Sequence, residues 1–535
     1  MTDAIREIDL LSWEFIQNPY SVYRDMREEN SVRRLTIKTL GTRLRAWLVT
    51  EYEDARRLLA DPRLSKNTRE LPRIINLHKV DEEDVQFANS ASMLFSDPPD
   101  HTRLRRTFGK AFTMRRVESM RPWIEQVTRT VLDTITPGVE IDLVDTVAMA
   151  IPISVIGNLL GVPREYHDQL RRWNKTLTGA DSSPAEKYHA YTAALEYIKT
   201  LIVEKRAARD QDDDMITVLL NLERDDALTD EEVISTVFLV MNAGYETTAN
   251  LIGSAVYTLL RHPDQQDLLR ADPLLLPTAI EEFLRYESPL NLSTVRYTVE
   301  PVTVRGTVIP ADAVVFIALC SANRDPARFD EPDRLDVQRG SNGHLSFGHG
   351  IHHCVGAPLA RMEGKIVLRE LLDRFPRWEP TESLEGLPWR YSLQLRGLQR
   401  LPMRLYEQRD YREERNVSDD VISRFFTTSR ARDVEAAADC FAEDGVWISA
   451  DGSEPGTLYR KNEIGELMVE MNKYRDQLLS QGMDGYFDPP IMFGNDEAVV
   501  RWTVKTSDGK IVQRGVDLFV VRDDKIVLKD VYRKV

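Results

Sequence analysis

Residues 343–361 read GHLSFGHGIHHCVGAPLAR and concentrate potential metal ligands in one short segment. Four of the nine histidines in the chain and one of its three cysteines, Cys354, lie here. Glycines at 348, 350 and 356 permit tight turns, and the pattern that follows, GAPLARMEGKIVLRELLDRF, predicts a helix. Cys354 therefore precedes a helix N-terminus, where free N–H groups and the positive end of the dipole are expected to lower the thiol pKa.

Cys354 by itself allows three interpretations. A lone cysteine is usually a small buried hydrophobic residue. A zinc site built from His349, His352, His353 and Cys354 is conceivable, although four donors within six residues can hardly surround one tetrahedral ion. A reactive, low-pKa thiol is the third interpretation. Composition does not choose among them.

The order of residues around Cys354 resembles the haem-binding loop of the bacterial cytochrome P450 family, including the Ala-x-x-Leu-Ala-Arg helix start. The resemblance implies that Cys354 is the proximal thiolate ligand of haem b. It also assigns four neighbours to the cofactor, namely Phe347, Gly348, His352 and Gly356. His353 departs from the pattern, because an apolar or aromatic residue is commoner there.

Haem carries two propionates, which need cationic or hydrogen-bonding partners when they are sequestered from water. The resemblance supplies them from several segments, namely His101, Arg105, Arg296, His344 and His352. His101 and Arg105 are four residues apart and are therefore predicted to share one helix face.

A predicted helix in AIEEFLRYESP carries Glu282 and Arg285, whose i,i+3 spacing allows an ion pair. With Arg334 as the third member, they match the Glu-Arg-Arg network of the family. We assign this network to folding and haem retention rather than to chemistry.

The longest predicted helix starts at an N-cap, Thr229, ends before Pro263 and should be buried because its apolar residues lie on all sides. At its middle it reads AGYETT, and a glycine there costs about 0.5–1 kcal/mol relative to alanine. The resemblance implies that Gly244 gives dioxygen and substrate access to the iron. It also implies that Glu246 and Thr247 deliver protons, with Thr247 diverting a backbone carbonyl.

The substrate pocket is predicted from family position only. It takes in residues 66–94, 176–191 and 239–247, together with six named side chains: Leu239, Ala243, Gly244, Leu290, Leu292 and Leu393. Because these pieces are mostly apolar, we expect a mid-sized, largely apolar substrate, such as an intermediate of secondary metabolism.

Charge and hydropathy exclude several classes of protein. A net charge of −16 argues against nucleic acid as a partner, because phosphate binding needs a basic surface. The longest apolar run, residues 147–162, is shorter than the roughly 20 residues of a membrane span and is interrupted by Pro152 and Asn158, so it predicts a buried helix. The start of the chain has no export signal, and a cytoplasmic location is expected.

The electron source is predicted to be external. The sequence contains no flavin or nicotinamide-binding segment, and its cysteines are too widely spaced for a cluster, so a separate ferredoxin or flavodoxin with a reductase is expected. Such carriers are typically acidic, and five basic residues could steer their docking, namely Arg103, Arg106, Lys110, Arg115 and Arg116.

The length of 535 residues and the 42% hydrophobic content predict two domains. Residues 1–405 are expected to form a mainly α cytochrome P450 fold with small β-sheets, and 406–416 a charged linker. Residues 417–535 predict a separate α+β domain that resembles the cone-shaped SnoaL-like group of the nuclear-transport-factor-2-like superfamily. All histidines precede residue 354, so a His–Asp catalytic pair is impossible there. Acid–base chemistry would need pairs such as Tyr459 with Asp517 or Asp530, which are more often ordinary strand residues. We favour a catalytically idle module for dimerisation or active-site shaping.

The resemblance therefore implies a monooxygenase that uses dioxygen and external electrons. A peroxide-driven haem oxidase is an alternative, although it would not need the Glu246–Thr247 pair. A bifunctional oxygenase with a cyclase or isomerase activity in the second domain is another. A haem sensor without catalysis is the fourth possibility.

Overall fold

The computed structural model divides into two units, Met1–Glu407 and Gln408–Val535. It describes residues 6–7, 9–39, 42–80, 92–179, 182–208, 214–224, 228–340, 343–407, 421–450, 456–487, 490–493, 497–507 and 510–534. The predicted linker at 406–416 begins in the last strand of the first unit, and its part from 408 onward lies outside the described residues.

Helices dominate the first unit. They are α1 (Trp13–Gln17), α2 (Pro19–Glu29), α3 (Tyr52–Leu59), α4 (Leu71–His78), α5 (Asp100–Ala111), α6 (Met114–Ser119), α7 (Arg121–Leu132), α8 (Ala150–Leu160), α9 (His167–Thr178), α10 (Pro184–Ala208), α11 (Met215–Arg224), α12 (Asp230–Ala243), α13 (Glu246–Arg261), α14 (Pro263–Ala271), α15 (Leu276–Tyr286), α16 (Leu319–Ala322) and α17 (Ala357–Arg374).

The sheets of the first unit are small. Their strands are β1 (Arg6–Glu7), β2 (Val32–Thr39), β3 (Thr42–Val49), β4 (Leu64–Ser65), β5 (Glu140–Asp142), β6 (Arg296–Thr298), β7 (Val302–Val304), β8 (Thr307–Ile309), β9 (Val314–Ile317), β10 (Arg377–Pro380) and β11 (Pro402–Tyr406). They pair in the orders β1-β2-β3-β9-β6-β4, β10-β11-β5 and β7-β8. The mainly α fold with small sheets is as predicted.

The longest apolar run of the sequence forms a buried helix, as predicted. Ile151 and Val155 on α8 are fully buried within the main apolar core of the first unit. Among the described residues, no helix combines the length and the apolar character that crossing a bilayer requires.

The predicted central helix is present, but it is broken in the middle. Thr229 caps α12, because its hydroxyl accepts from the Glu232 amide while the Glu232 carboxylate accepts from the Thr229 amide. The helical run ends at Arg261, before Pro263, as predicted. Between Ala243 and Glu246 the helix is interrupted, so the run consists of α12 and α13. Helix α13 is buried along most of its length and packs against α8, α15 and α17.

Gly244, at this interruption, has a packing reason that the sequence did not reveal. A Cβ atom there would lie 2.5 Å from Ile156 Cδ1 and 2.6 Å from the Val240 carbonyl oxygen. Since real side chains do not tolerate such distances, glycine is required where α12 approaches α8. The expectation that Gly244 gives dioxygen and substrate access to the iron stays a prediction.

The second unit contains α18 (Val421–Ala431), α19 (Val434–Ala438) and α20 (Lys461–Ser480). Its sheet has the order β13-β12-β18-β17-β16-β14, with β15 also paired to β16. The strands are β12 (Phe441–Ser449), β13 (Thr457–Arg460), β14 (Met483–Phe487), β15 (Ile491–Phe493), β16 (Glu497–Thr506), β17 (Ile511–Arg522) and β18 (Lys525–Lys534). The second unit is α+β as predicted, with α20 lying between β13 and β14.

Candidate haem site

The loop before α17 places Cys354 as predicted. The Cys354 amide donates to the Phe347 carbonyl oxygen at 2.9 Å, and α17 begins three residues after the cysteine. Gly348 and Gly350 adopt φ angles of +70° and +75°, which favour glycine. At Gly350 a Cβ atom would also lie 2.8 Å from Ala60 Cα. The glycines therefore shape a tight turn that presents the sulfur.

The surroundings of the Cys354 thiol differ from the prediction. Although the residue keeps accessible surface, protein atoms enclose the sulfur on most sides, and this burial raises the thiol pKa. The amides of Gly356 and Ala357, with Arg105 and Arg361, act in the expected direction and lower it. Burial outweighs them, so the predicted net lowering of the pKa is wrong for the protein without a bound cation.

The zinc interpretation of this loop finds no support in the geometry. Across the described ranges, no three or more His, Cys, Asp or Glu side chains are placed to hold a metal ion. Cys354 is the exposed cysteine of the chain, whereas Cys320 and Cys440 are buried. A lone sulfur at a turn suits a metal that brings its other ligands with it, as an iron porphyrin does.

Four of the predicted propionate-binding residues lie together. The rings of His101 and His352 are 4.4 Å apart, and both side chains feel the charge of Arg105. Arg296, which is 4% exposed, acts on His352 as well. Among the described residues, two buried nitrogens of this group, His101 Nε2 and Arg296 Nε, have no hydrogen-bond partner. Buried donors without acceptors are costly, so the cluster fits a ligand that brings carboxylates.

The electrostatics of this cluster also favour an anionic ligand. Burial, with the nearby charges of Lys66 and Arg296, lowers the pKa of His352 to about 2. Burial lowers the pKa of Arg296 to about 10, although Asp97 opposes this shift. Neighbouring cationic groups with lowered pKa values are stabilised by an added anion.

His344 lies elsewhere, and its assignment to a propionate is wrong. Its Nε2 is 3.2 Å from a carboxylate oxygen of Glu281, and its Nδ1 accepts from the Ser346 amide at 3.1 Å. Glu281 also accepts two hydrogen bonds from Arg361 on α17. Burial raises the pKa of Glu281, but the bonds from Arg361 and His344 prevail and hold it at about 2. Both ring nitrogens of His344 are therefore engaged with other groups of the protein.

Three other loop residues have defined contacts. The guanidinium carbon of Arg361 lies 4.5 Å from the ring centroid of Phe347, a cation–π contact. Arg105 donates to the His353 carbonyl oxygen at 2.6 Å, so it ties α5 to the cysteine loop. Gly356 precedes α17, and a Cβ atom there would lie 3.8 Å from the Cys354 sulfur. The exposed ring of His353 departs from the apolar residue that the pattern expects.

The Glu-Arg-Arg network contains a different third residue from the predicted one. Glu282 and Arg285 are fully buried and share two hydrogen bonds of 2.7 Å. Arg339 Nε completes the network at 3.1 Å from Glu282. The Arg334 side chain is 63% exposed and pairs with Glu331, so its assignment is wrong. Only the carbonyl of Arg334 takes part, as an acceptor for Arg285.

The acid–alcohol pair lies at the break between α12 and α13. The Thr247 hydroxyl donates to the Ala243 carbonyl oxygen at 3.0 Å, which is the predicted diversion of a backbone carbonyl. Glu246 is 1% exposed. Its carboxylate accepts from the Thr178 hydroxyl at 3.1 Å and pairs with Arg390. A carboxylate can take up and release a proton, and this one is held in place by one arginine and one hydroxyl partner.

The predicted pocket residues separate into two groups. Leu239, Leu290 and Leu393 are half-buried and Ala243 is exposed, so each keeps surface that a substrate can touch. Leu292 is fully buried in the core around the six-stranded sheet, and its assignment to the pocket is wrong. Of the predicted segment 66–94, residues 81–91 lie outside the described part of the chain.

Sequence reasoning missed three side chains of the site, namely Lys66, Arg339 and Arg390. Arg339 stands five positions beyond Arg334, and residue type alone does not separate the two. Arg390 meets Glu246 through packing of distant segments, which leaves no local signal. Lys66 begins the predicted pocket segment 66–94, but its position beside Arg296 is visible only once the pairing of β4 with β6 is known.

Comparisons with known proteins agree with this geometry. The profile of the family described as Cytochrome P450 matches residues 172–386, and that of the SnoaL-like domain matches residues 422–529. The chain is 46% identical over 402 residues to cytochrome P450 107B1 of Saccharopolyspora erythraea, covering 74% of this chain and 98% of that protein. It is 38% identical over 398 residues to the polyketide biosynthesis cytochrome P450 PksS of Bacillus subtilis, covering 73% and 97%.

Solved structures agree as well. The P450 monooxygenase TamI bound to tirandamycin C superposes with a TM-score of 0.69 at 44% identity, covering 75% of this chain and 99% of that one. The cofactor of the family is haem b, which matches the unpartnered cationic cluster and the presented sulfur. The chain therefore belongs to the cytochrome P450 family of monooxygenases and carries a SnoaL-like domain in the same polypeptide.

Proposed function

We propose that this monooxygenase inserts one oxygen atom from dioxygen into a mid-sized, largely apolar intermediate of secondary metabolism. Electrons would come from a separate ferredoxin or flavodoxin with its reductase. The observation that carries the proposal is the buried carboxylate of Glu246 beside Thr247 at the helix break. A haem protein that only binds or senses has no need for such a pair.

Cys354 would ligate the haem iron, and His101, Arg105, Arg296 and His352 would hold the propionates. When bound, the haem supplies the reducible centre at which dioxygen is activated. The Phe347 carbonyl accepts from the Cys354 amide, and Gly356 lies next to the Cys354 sulfur, so both help to position the cysteine.

Proton delivery is assigned to Glu246 and Thr247. One oxygen of the Glu246 carboxylate pairs with Arg390 and the other accepts from the Thr178 hydroxyl, so both contacts hold the carboxylate at the helix break. The Thr247 hydroxyl donates its hydrogen to the Ala243 carbonyl, so its oxygen can still accept a hydrogen bond from a neighbouring donor. The pair can thus hold and pass a proton within the helix break.

The substrate class rests on the pocket side chains and on the relatives. The accessible members are apolar, namely Leu239, Ala243, Leu290 and Leu393, so they favour a hydrocarbon-rich ligand. One relative is named for polyketide biosynthesis, and another was solved with tirandamycin C. A polyketide-type molecule is therefore the first choice for spectral titration.

Docking of the electron carrier is assigned to part of the predicted basic segment. Arg103 pairs with Glu232, and Arg116 donates to the Ala111 carbonyl, so these two are engaged within the protein. Arg106, Lys110 and Arg115 are exposed and give the surface its positive charge.

The second domain is proposed to form a dimer rather than to catalyse. Asp517 is engaged by Lys529 and by the Trp502 indole, and Asp530 accepts from the Tyr532 hydroxyl. The pairs proposed with Tyr459 are therefore not formed. These contacts speak against a cyclase or isomerase in this domain.

The outer face of its sheet supports an interface with a second copy. Ile448 lies opposite both Leu458 and Asp530, so these residues share one face. Leu458 is 50% exposed, whereas Trp447 on the other face is buried. Apolar side chains on an outer sheet face suit a self-complementary contact. Sedimentation velocity tests this role, with the parent protein expected to be a dimer and Leu458→Lys a monomer.

The oxygenation itself is tested with Glu246→Gln and Thr247→Ala, supplied with a surrogate ferredoxin, its reductase and a polyketide-type substrate. We expect product formation to fall by about 100-fold or more in Glu246→Gln, as for loss of a general acid. Thr248→Ala is the matched control, since its hydroxyl lies in the same helix and faces the Gly244 carbonyl. Turnover with hydrogen peroxide but none with the carriers would instead establish the peroxide-driven oxidase.

A further inference from the structure

Lys66 is a buried cation without a counterion among the described residues. It is 1% exposed, and no ion pair or hydrogen bond from its Nζ atom is found in that part of the chain. Its Nζ atom lies 5.5 Å from the ring centroid of Phe95. Because an isolated buried ammonium costs several kcal/mol, such a group needs a partner.

Strand pairing places this lysine against another cation. Leu64 pairs with Thr298 and Ser65 with Tyr297 in the antiparallel ladder of β4 and β6. Continuing that register by one residue sets Lys66 opposite Arg296. Like charges directly opposite each other are destabilising, so the arrangement is unfavourable unless an anion lies between them.

The nearby carboxylate is already engaged. Asp97 Oδ1 accepts from the backbone amide of Lys66 at 3.2 Å, and its Oδ2 accepts from the Ser65 hydroxyl. Burial lowers the pKa of Lys66 well below its ordinary value, and Arg296 lowers it further while Asp97 only partly opposes. One carboxylate therefore faces two cations here, namely Lys66 and Arg296.

We propose that Lys66 binds a propionate of the haem, together with Arg296 and the pair of histidines. This inference rests on the haem assignment made above and adds a residue to it. The ammonium is close enough to interact electrostatically with both Arg296 and His352. Among the described residues, His101 Nε2 and Arg296 Nε of the same cluster have no hydrogen-bond partner. A lysine offers a compact point charge that three hydrogens can direct to one carboxylate.

A substrate carboxylate is the competing ligand for Lys66. The concentration of unsatisfied donors favours the propionate, because His101 Nε2 and Arg296 Nε belong to the same cluster and also lack acceptors. The four named pocket residues that keep accessible surface, Leu239, Ala243, Leu290 and Leu393, are apolar, and none of these four offers a substrate carboxylate a second partner.

The test uses the full-length holoenzyme and three variants, Lys66→Met, Lys66→Arg and Lys205→Met. Lys205 is the matched control because it is a buried lysine of the same unit, paired with Asp214. The first readout is the rate of haem transfer to excess apomyoglobin. The second is the resonance Raman band of propionate bending, which reports hydrogen bonding to those groups and does not respond to general loosening of the fold.

We expect Lys66→Met to transfer haem about tenfold faster or more, as for loss of one charge-assisted hydrogen bond, and to shift the Raman band. Lys66→Arg should recover much of both, and Lys205→Met should leave the band unchanged. If Lys66→Met cannot be purified with haem, the Raman band of the Lys66→Arg holoenzyme tests the inference instead. The altered geometry of the donor must shift this band if residue 66 binds a propionate.

Unchanged band and transfer rate in Lys66→Met would overturn the inference. So would an effect of that variant only on the spectral titration of carboxylate-bearing substrates, which would assign the lysine to substrate. Absence of haem b from the wild-type protein would be a different failure, since it would remove the proposed function itself.

Discussion

Replacing Arg339 by methionine should destabilise the first unit, whereas the same change at Arg334 should not. Arg339 Nε lies 3.1 Å from a Glu282 carboxylate that is fully buried, and its other nitrogens bind the carbonyls of Asp330, Glu331 and Arg334. A hydrogen bond to a charged group contributes about 1.5–3 kcal/mol, and Glu282 keeps Arg285 in the variant. We therefore expect a loss of about 2–3 kcal/mol for Arg339→Met.

The network also reaches the cysteine loop. Arg285 donates to the Asn323 carbonyl at 3.1 Å, and the Asn323 side chain binds the Leu345 amide and the Ser346 hydroxyl. Loosening α15 against this segment should thus loosen the loop that presents Cys354. Haem absorbance and far-ultraviolet circular dichroism are followed during urea unfolding of the holoenzyme. We expect the haem signal of Arg339→Met to be lost at lower urea than its helical signal.

Arg334→Met is the matched control, because its side chain pairs with Glu331 in solvent and should give no measurable change. Equal midpoints for Arg339→Met and the parent protein would refute the reasoning. A larger effect at Arg334 than at Arg339 would show that the sequence-based assignment was correct after all.

Further predictions concern docking, acid stability and the second domain. Arg106→Glu combined with Lys110→Glu should slow reduction by ferredoxin in stopped-flow measurements and leave substrate titration unchanged, and unaltered kinetics would dismiss the docking surface. The folded-state pKa of Glu281 is held at about 2, below its unfolded value, so its stabilising contribution is present above pH about 4.5 and is lost as pH falls towards 2. In Glu281→Gln the unfolding midpoint should depend less on pH in that window, and an unchanged pH dependence would contradict the assignment. Asp517→Asn should destabilise the second unit by about 3–5 kcal/mol, because it leaves the fully buried ammonium of Lys529 without its carboxylate. Differential scanning calorimetry of the full chain measures this change, and an unshifted second transition would count against a buried ion pair.

The buried pair of Asp517 and Lys529 shows what sequence reasoning could not reach in the second domain. Lys529 Nζ lies 2.6 Å from Asp517 and 3.9 Å from the Trp447 ring centroid. The sequence named Asp517 as a possible acid–base partner of Tyr459 because the domain contains no histidine. Only the diagonal contact across two strands shows that its carboxylate is already committed to a lysine.

The sequence alone determined the features that depend on neighbouring residues. The turn at Cys354, the helix after it, the capping box at Thr229 and the diverted carbonyl at Thr247 all arise within a few positions, where backbone conformation and side-chain spacing govern the outcome. Tertiary structure decided which distant side chains meet. Strand register and helix packing, which no local pattern encodes, bring distant side chains together. They place Arg339 rather than Arg334 against Glu282 and set Lys66 opposite Arg296.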